Sequence, residues 1–96
     1  MVFELILYWL DFTDSIFLKF IRMQTEQLIK MANQIGDFYE SYPDENQVKQ
    51  DIAGHLNKFW ALQMRQQLAQ HVKNTKGEGL HSKVAAAVAS SHLEIQ

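Results

Sequence analysis

The stretch HLNKFWALQMRQQLAQHV, residues 55–72, gathers two histidines, a Phe-Trp pair, a Met-Arg pair and several glutamines without a single acid. Histidine ligates metals and moves protons near neutral pH. Arginine and large aromatic rings anchor protein interfaces. The spacing argues against the first kind of chemistry. His55 and His71 lie sixteen residues apart, which on one continuous helix separates them by about 160°, so they do not pair as i, i+4 metal ligands do. No HExxH is present, Ser41, Ser82, Ser90 and Ser91 have no base and acid constellation or GxSxG elbow, and GEG at 77–79 follows no strand and forms no GxGxxG. The absence of cysteine removes disulfides, thiolate nucleophiles and thiolate-held zinc or iron–sulfur clusters, and fits a reducing compartment. No catalytic, metal or directly bound cofactor site is expected, which leaves the interface chemistry.

The chain that must position these residues has 96 positions, a net charge of −2 and a pI near 6.0. A domain this short hides only about 60–65% of its unfolded surface, too little for a deep self-contained cleft. The acidic balance argues against nucleic acid. Charge is uneven: residues 1–51 hold four Lys/Arg against nine Asp/Glu, whereas residues 52–96 hold five against two, so the second half suits an acidic partner.

Residues 1–22, MVFELILYWLDFTDSIFLKFIR, are interrupted by Glu4, Asp11, Asp14, Lys19 and Arg22 and lack a basic start or cleavage site, so they read as neither a membrane span nor a signal peptide. The five charges fall within an arc of roughly 140°, which predicts an amphipathic helix with a wide apolar face. That face could pack on the domain, self-associate or enter a partner's groove; the lack of basic excess argues against lipid.

Further on, Leu28, Met31, Ile35, Phe38 and Tyr42 recur at helical spacing until Tyr42-Pro43 ends the run. Asp44 caps the next helix with Gln47 in capping-box position, and Val48, Ile52, Leu56 and Phe59 form its buried edge. TKGEGL makes a glycine-rich turn before a last helix carrying Leu80, Val84, Val88 and Ile95. Gly36 and Gly54 are mid-helix, where glycine costs about 1 kcal/mol, and close approach within a hairpin of these two helices would account for both. No period-2 pattern occurs. The expected fold is all-α, a small bundle of four to five short helices. A DNA-reading helix pair is disfavoured by Asp37, Glu40, Asp44, Glu45 and Asp51 around its turn.

IKMANQIGDFYES at 29–41, IAGHLNKFW at 52–60, MRQQLAQHV at 64–72 and GEGL at 77–80 together resemble the delta subunit of cytoplasmic NAD-dependent formate dehydrogenase. The resemblance runs from about Glu26 to Val88. It implies residues 23–96 as the delta-like domain and residues 1–22 as an extension outside it, or an upstream start assignment, since MQTEQLIKMANQ at Met23 resembles a family start. It implies a cytoplasmic, non-catalytic accessory subunit that assembles or stabilises the complex or aids cofactor insertion. The partner would be a large molybdenum- or tungsten-pterin subunit, with FMN and iron–sulfur clusters in the other subunits.

By position, Met31, Ala32, Asn33 and Gln34 match the family's first block, His55, Phe59 and Trp60 the second, Met64, Arg65, Leu68 and His71 the third, and Gly79 and Leu80 the last. Ala61-Leu62-Gln63 replaces the family's Asp-Pro-Arg, so a softened helix break is expected there, and His81-Ser82 replaces a Ser-Pro cap. The expected partner surface is Asn33, Gln34, Trp60, Met64, Arg65 and His71, with local bonding of Asn33 and Gln34 as the alternative. The expected core is Leu28, Ile35, Phe38, Ile52, Leu56, Phe59 and Leu68. The rival expectation is a stand-alone helical regulator or chaperone-like binder using the N-terminal apolar face.

Overall fold

A computed structural model describes the chain over residues 2–96, with side chains for residues 19–96. The side-chain faces expected for residues 1–18 lie outside the described residues. Four helices follow in order: α1 (Val2–Phe38), α2 (Glu45–Phe59), α3 (Leu62–Thr75) and α4 (Ser82–Ala89). Among the described residues there is no strand, so the fold is the expected all-α bundle. Not all its helices are short. The N-terminal segment and the Leu28 stripe merge into one helix of 37 residues, because the sequence between them, MQTEQ, contains neither glycine nor proline.

The end of α1 is held by a residue far along the chain. After Phe38 the backbone turns through residues 39–41, and the ammonium of Lys83 donates to the carbonyls of Tyr39 (2.8 Å), Glu40 (2.6 Å) and Tyr42 (3.0 Å). A helix C-terminus leaves carbonyls without partners and carries the negative end of the dipole, so a cation there satisfies both. Lys83→Met keeps the stem and removes the donors. It is expected to destabilise the domain by about 1–3 kcal/mol, read as a lower urea midpoint with an unchanged slope.

Asp44 caps α2 as its sequence predicts, accepting from the Gln47 amide at 3.1 Å. The box is half made, since the Gln47 side chain turns to Asp51 instead (2.9 Å). α2 stops at Phe59, and Trp60 and Ala61 are both extended. The break is therefore retained without the Asp-Pro-Arg that the family carries. Two contacts replace it: Trp60 swings into the core, and the Arg65 guanidinium donates to the Asn57 carbonyl at 2.9 Å, serving the open end of α2. At the last helix, His81 takes over the missing Ser-Pro cap, its Nδ1 accepting from the Lys83 amide at 3.2 Å.

The expected α1–α2 hairpin is not the main contact. α4 is: it packs chiefly on α2 and also on α3 and α1. Its Val84, Ala87 and Val88 join Leu28, Ile52, Leu56 and Leu68 in the core, with Ile35 half-buried against them. Gly36 is packed as expected, but against His81 at the start of α4 rather than against α2, and Gly54 faces open space. Beyond α4, Asn57 pins the C-terminal segment with two bonds, to the His92 carbonyl (2.9 Å) and from the Glu94 amide (2.8 Å). Leu93 is thereby buried, whereas Ile95, expected beside Val84 and Val88, is exposed.

Candidate docking surface

Two residues expected in the core are on the surface. Phe38 and Phe59 are each 66% exposed, while Trp60, expected on the partner face, is only 7% exposed. The reason is helical phase. In α2 the buried series Val48, Ile52, Leu56 advances by four and continues to Trp60, leaving Phe59 about 100° off the edge. In α1 the inward edge runs Leu28, Ala32, Ile35 and Tyr39, so Phe38 points away from it.

Phe38 opens onto a depression that Phe59 flanks through His55. Met31, Gln34, Ile35, Phe38, Tyr39, His55 and Trp60 line a groove of about 520 Å³ between α1 and α2. On one wall, Phe38 meets Tyr39 edge-on with ring centroids 5.0 Å apart, and Tyr42 meets Tyr39 in the same way at 5.0 Å. On the other, His55 leans on Phe59 at 4.8 Å, and the Lys58 ammonium stands 5.5 Å from the Phe59 ring centre. Burial, then Asp51 and Tyr42 nearby, raise the Tyr39 phenol above its usual pKa. It stays protonated, able to donate or accept a hydrogen bond. Pre-stacked aromatic rings lose little freedom on binding, and methionine adapts to a partner's shape, so the groove has the composition of an interface centre.

The six residues expected to dock are placed differently from one another. Gln34 is exposed at the groove. Asn33 is turned inward: its Nδ2 donates to the Gly79 carbonyl (3.0 Å) and its Oδ1 accepts from the His81 amide (2.7 Å), which fixes the turn before α4. His71 Nε2 donates to the Glu78 carbonyl (2.7 Å) and supports the other side of that turn. Met64 packs half-buried on the core, and Arg65 serves the end of α2. Trp60 closes the groove from below. Five of the six thus act inside the domain.

A larger groove of about 800 Å³ runs beside α1 from Ile21 to Asn33 and is walled by His71, Thr75, Glu78 and Gly79. Within it Thr25 donates to the Ile21 carbonyl (2.9 Å) and accepts from Gln67 (3.0 Å), while Arg22, Glu26, Lys30 and Glu78 bring charge to its walls. Its lining holds no Phe, Tyr or Trp, unlike that of the aromatic groove. Elsewhere, Asp37, Glu40 and His81 bring ligand-type atoms within 4.8 Å of one another. Because His81 Nδ1 accepts the α4 cap bond, a neutral ring carries its proton on Nε2, and holding a metal there would require giving up the cap. Among the described residues, no helix is long and apolar enough to cross a membrane.

Sequence reasoning missed Lys83, Asn57 and the exposure of Phe38 and Phe59. For Phe59 a signal existed, the spacing of four that continues from Leu56 to Trp60. Comparison with known proteins gives one match: residues 27–88, more than half of the chain, fit the family described as NADH-dependant formate dehydrogenase delta subunit FdsD. No curated protein and no solved structure matches the chain.

Proposed function

The chain belongs to the NADH-dependent formate dehydrogenase delta subunit family, and from that premise we propose that it is a non-catalytic accessory subunit docking through the aromatic groove between α1 and α2. The partner is the large subunit carrying the molybdenum or tungsten pterin, with FMN and iron–sulfur clusters in the remaining subunits. The role is assembly or stabilisation of that complex in the cytoplasm, including help with cofactor insertion. The observation that carries the reading is the exposure of Phe38 in the wall of the groove and of Phe59 beside it, stacked on the groove-lining His55, in a member of this family. A small domain that leaves such rings in water forgoes about 1.5–3 kcal/mol of burial for each, which a partner surface recovers. The cysteine-free sequence supplies no thiolate for an iron–sulfur cluster of its own.

The test is affinity purification of the tagged chain from its own host, with metal analysis and a formate-dependent NAD reduction assay. The expected result is recovery of the large subunit with activity. Deleting the gene then separates the roles: a stable but metal-poor large subunit indicates insertion, and a degraded one indicates assembly. Recovery of the chain alone would overturn the proposal.

A further inference from the structure

We infer that the docked segment of the partner presents an arginine, whose guanidinium seats between the Asp51 carboxylate and the Phe38, Tyr39 and Tyr42 rings at one end of the aromatic groove. The inference rests on the docking reading above and adds the chemistry that the groove selects. Asp51 lies one turn before His55 on α2. The two therefore share the helix edge that borders the groove. Asp51 is half-buried, and its Oδ1 accepts from the Gln47 side chain at 2.9 Å. Its Oδ2 accepts no hydrogen bond among the described residues. Burial, then Asp51 and Tyr42, raise the Tyr39 phenol, so the carboxylate and both tyrosines stand near one another. Phe38 completes the corner, edge-on to Tyr39 and tilted toward Tyr42.

The lysines around this corner serve other groups. All three N–H groups of the Lys83 ammonium go to the Tyr39, Glu40 and Tyr42 carbonyls. Lys58 stands over the Phe59 ring, and Lys49 lines a separate depression against α4. A partner that covers the groove strips water from Asp51, and an occupant with no cation at that point would leave a desolvated, unpaired charge. Charge complementarity therefore fixes one side chain of the occupant. The surrounding field agrees, since residues 37–51 hold five Asp/Glu and one lysine. The rings choose between the two possible cations. A planar guanidinium lies flat on an exposed aromatic face while its fork reaches a carboxylate, whereas an ammonium is compact, strongly hydrated and has no flat face. Phe38 and Tyr42 are both exposed and offer such faces. The apolar remainder of the segment rests on Met31, Ile35 and Trp60.

The full chain tests the corner without the partner. Isotope-labelled protein titrated with N-acetylarginine amide is expected to show saturating amide shifts at Tyr39, Tyr42 and Asp51. N-acetylcitrulline amide, which has the same shape without the charge, is expected to give none. Asp51→Asn keeps an acceptor for Gln47 and is expected to keep the circular dichroism of the fold while losing the response to the arginine probe; Asp51→Glu is expected to return part of it. In the complex, Asp51→Asn is expected to weaken binding of the large subunit by about tenfold or more and to flatten its dependence on salt. An equal response to N-acetyllysine amide, or an unchanged response in Asp51→Asn, would overturn the arginine. Unaltered affinity of Asp51→Asn for the large subunit would also overturn it while leaving the docking reading intact. A chain that recovers no large subunit yet shows the Asp51-dependent shifts would remove the docking reading and keep the corner as a guanidinium site.

Discussion

Phe38→Ser combined with Phe59→Ser is expected to abolish co-purification of the large subunit while leaving the domain folded. Both rings are two-thirds exposed, so their loss removes little from the core and lightens an aromatic patch that water already touches. In an interface centre, truncating such an anchor costs about 2 kcal/mol or more, roughly thirtyfold in affinity for each ring. Trp60 supplies the contrast. Its side chain is buried beneath the same groove, and Trp60→Ala is expected to destabilise the domain by about 3–5 kcal/mol, a large part of the stability of a chain this size. Thermal unfolding of both variants, followed by pull-down of the large subunit, separates the two. A folded double-serine variant that still recovers the large subunit would place docking elsewhere on the molecule. A Trp60→Ala protein with an unaltered transition would contradict its core placement.

The two mid-helix glycines are expected to respond to alanine with opposite signs. At Gly54 an added methyl meets nothing within 4 Å, so only propensity acts and Gly54→Ala stabilises by about 0.5–1 kcal/mol. At Gly36 the same methyl would stand 2.5 Å from His81 Cγ and 2.7 Å from its Cβ. The Cβ is fixed to the backbone and cannot rotate out of the way. His81 is also bound through its amide to Asn33 and through its ring to the α4 cap, so relief by moving it breaks both. Crowding of this kind outweighs the propensity gain, and Gly36→Ala is expected to lose about 1–2 kcal/mol. For a domain of this length each kcal/mol moves the melting temperature by about 4–8 °C, so calorimetry resolves both signs.

The sequence was informative wherever a local rule acts. The Asp44 cap follows from backbone chemistry within a few residues, and Ile52, Leu56 and Leu68 lie on stripes that periodicity finds directly, whereas α1 ends at Phe38, four residues before the stop expected at Tyr42-Pro43. It was ambiguous where two adjacent aromatics compete for one inward position, as with Phe59 and Trp60: composition welcomes either, and only the exact phase at the helix end decides. It was silent on bonds between distant segments. Asn33 reaching across 46 residues to Gly79 and Lys83 across 44 to Tyr39 leave no periodic trace, because a polar side chain bonding to backbone requires no matching residue type in its partner. For that reason Asn33, Arg65 and His71, expected on the docking face, proved to be braces of the fold.

The central place of α4 bears on when the molecule can form. α4 follows the other three helices along the chain, yet it touches all of them, and Leu93, four residues beyond its end, still fills the core. While the chain is being synthesised, Leu28, Ile52 and Leu56 therefore await a covering element that is made after them. Contacts of such long sequence separation close late and leave apolar surface open meanwhile. The core consequently closes only once α4 and Leu93 are free to pack, and a chain cut before α4 is left with that core unsealed.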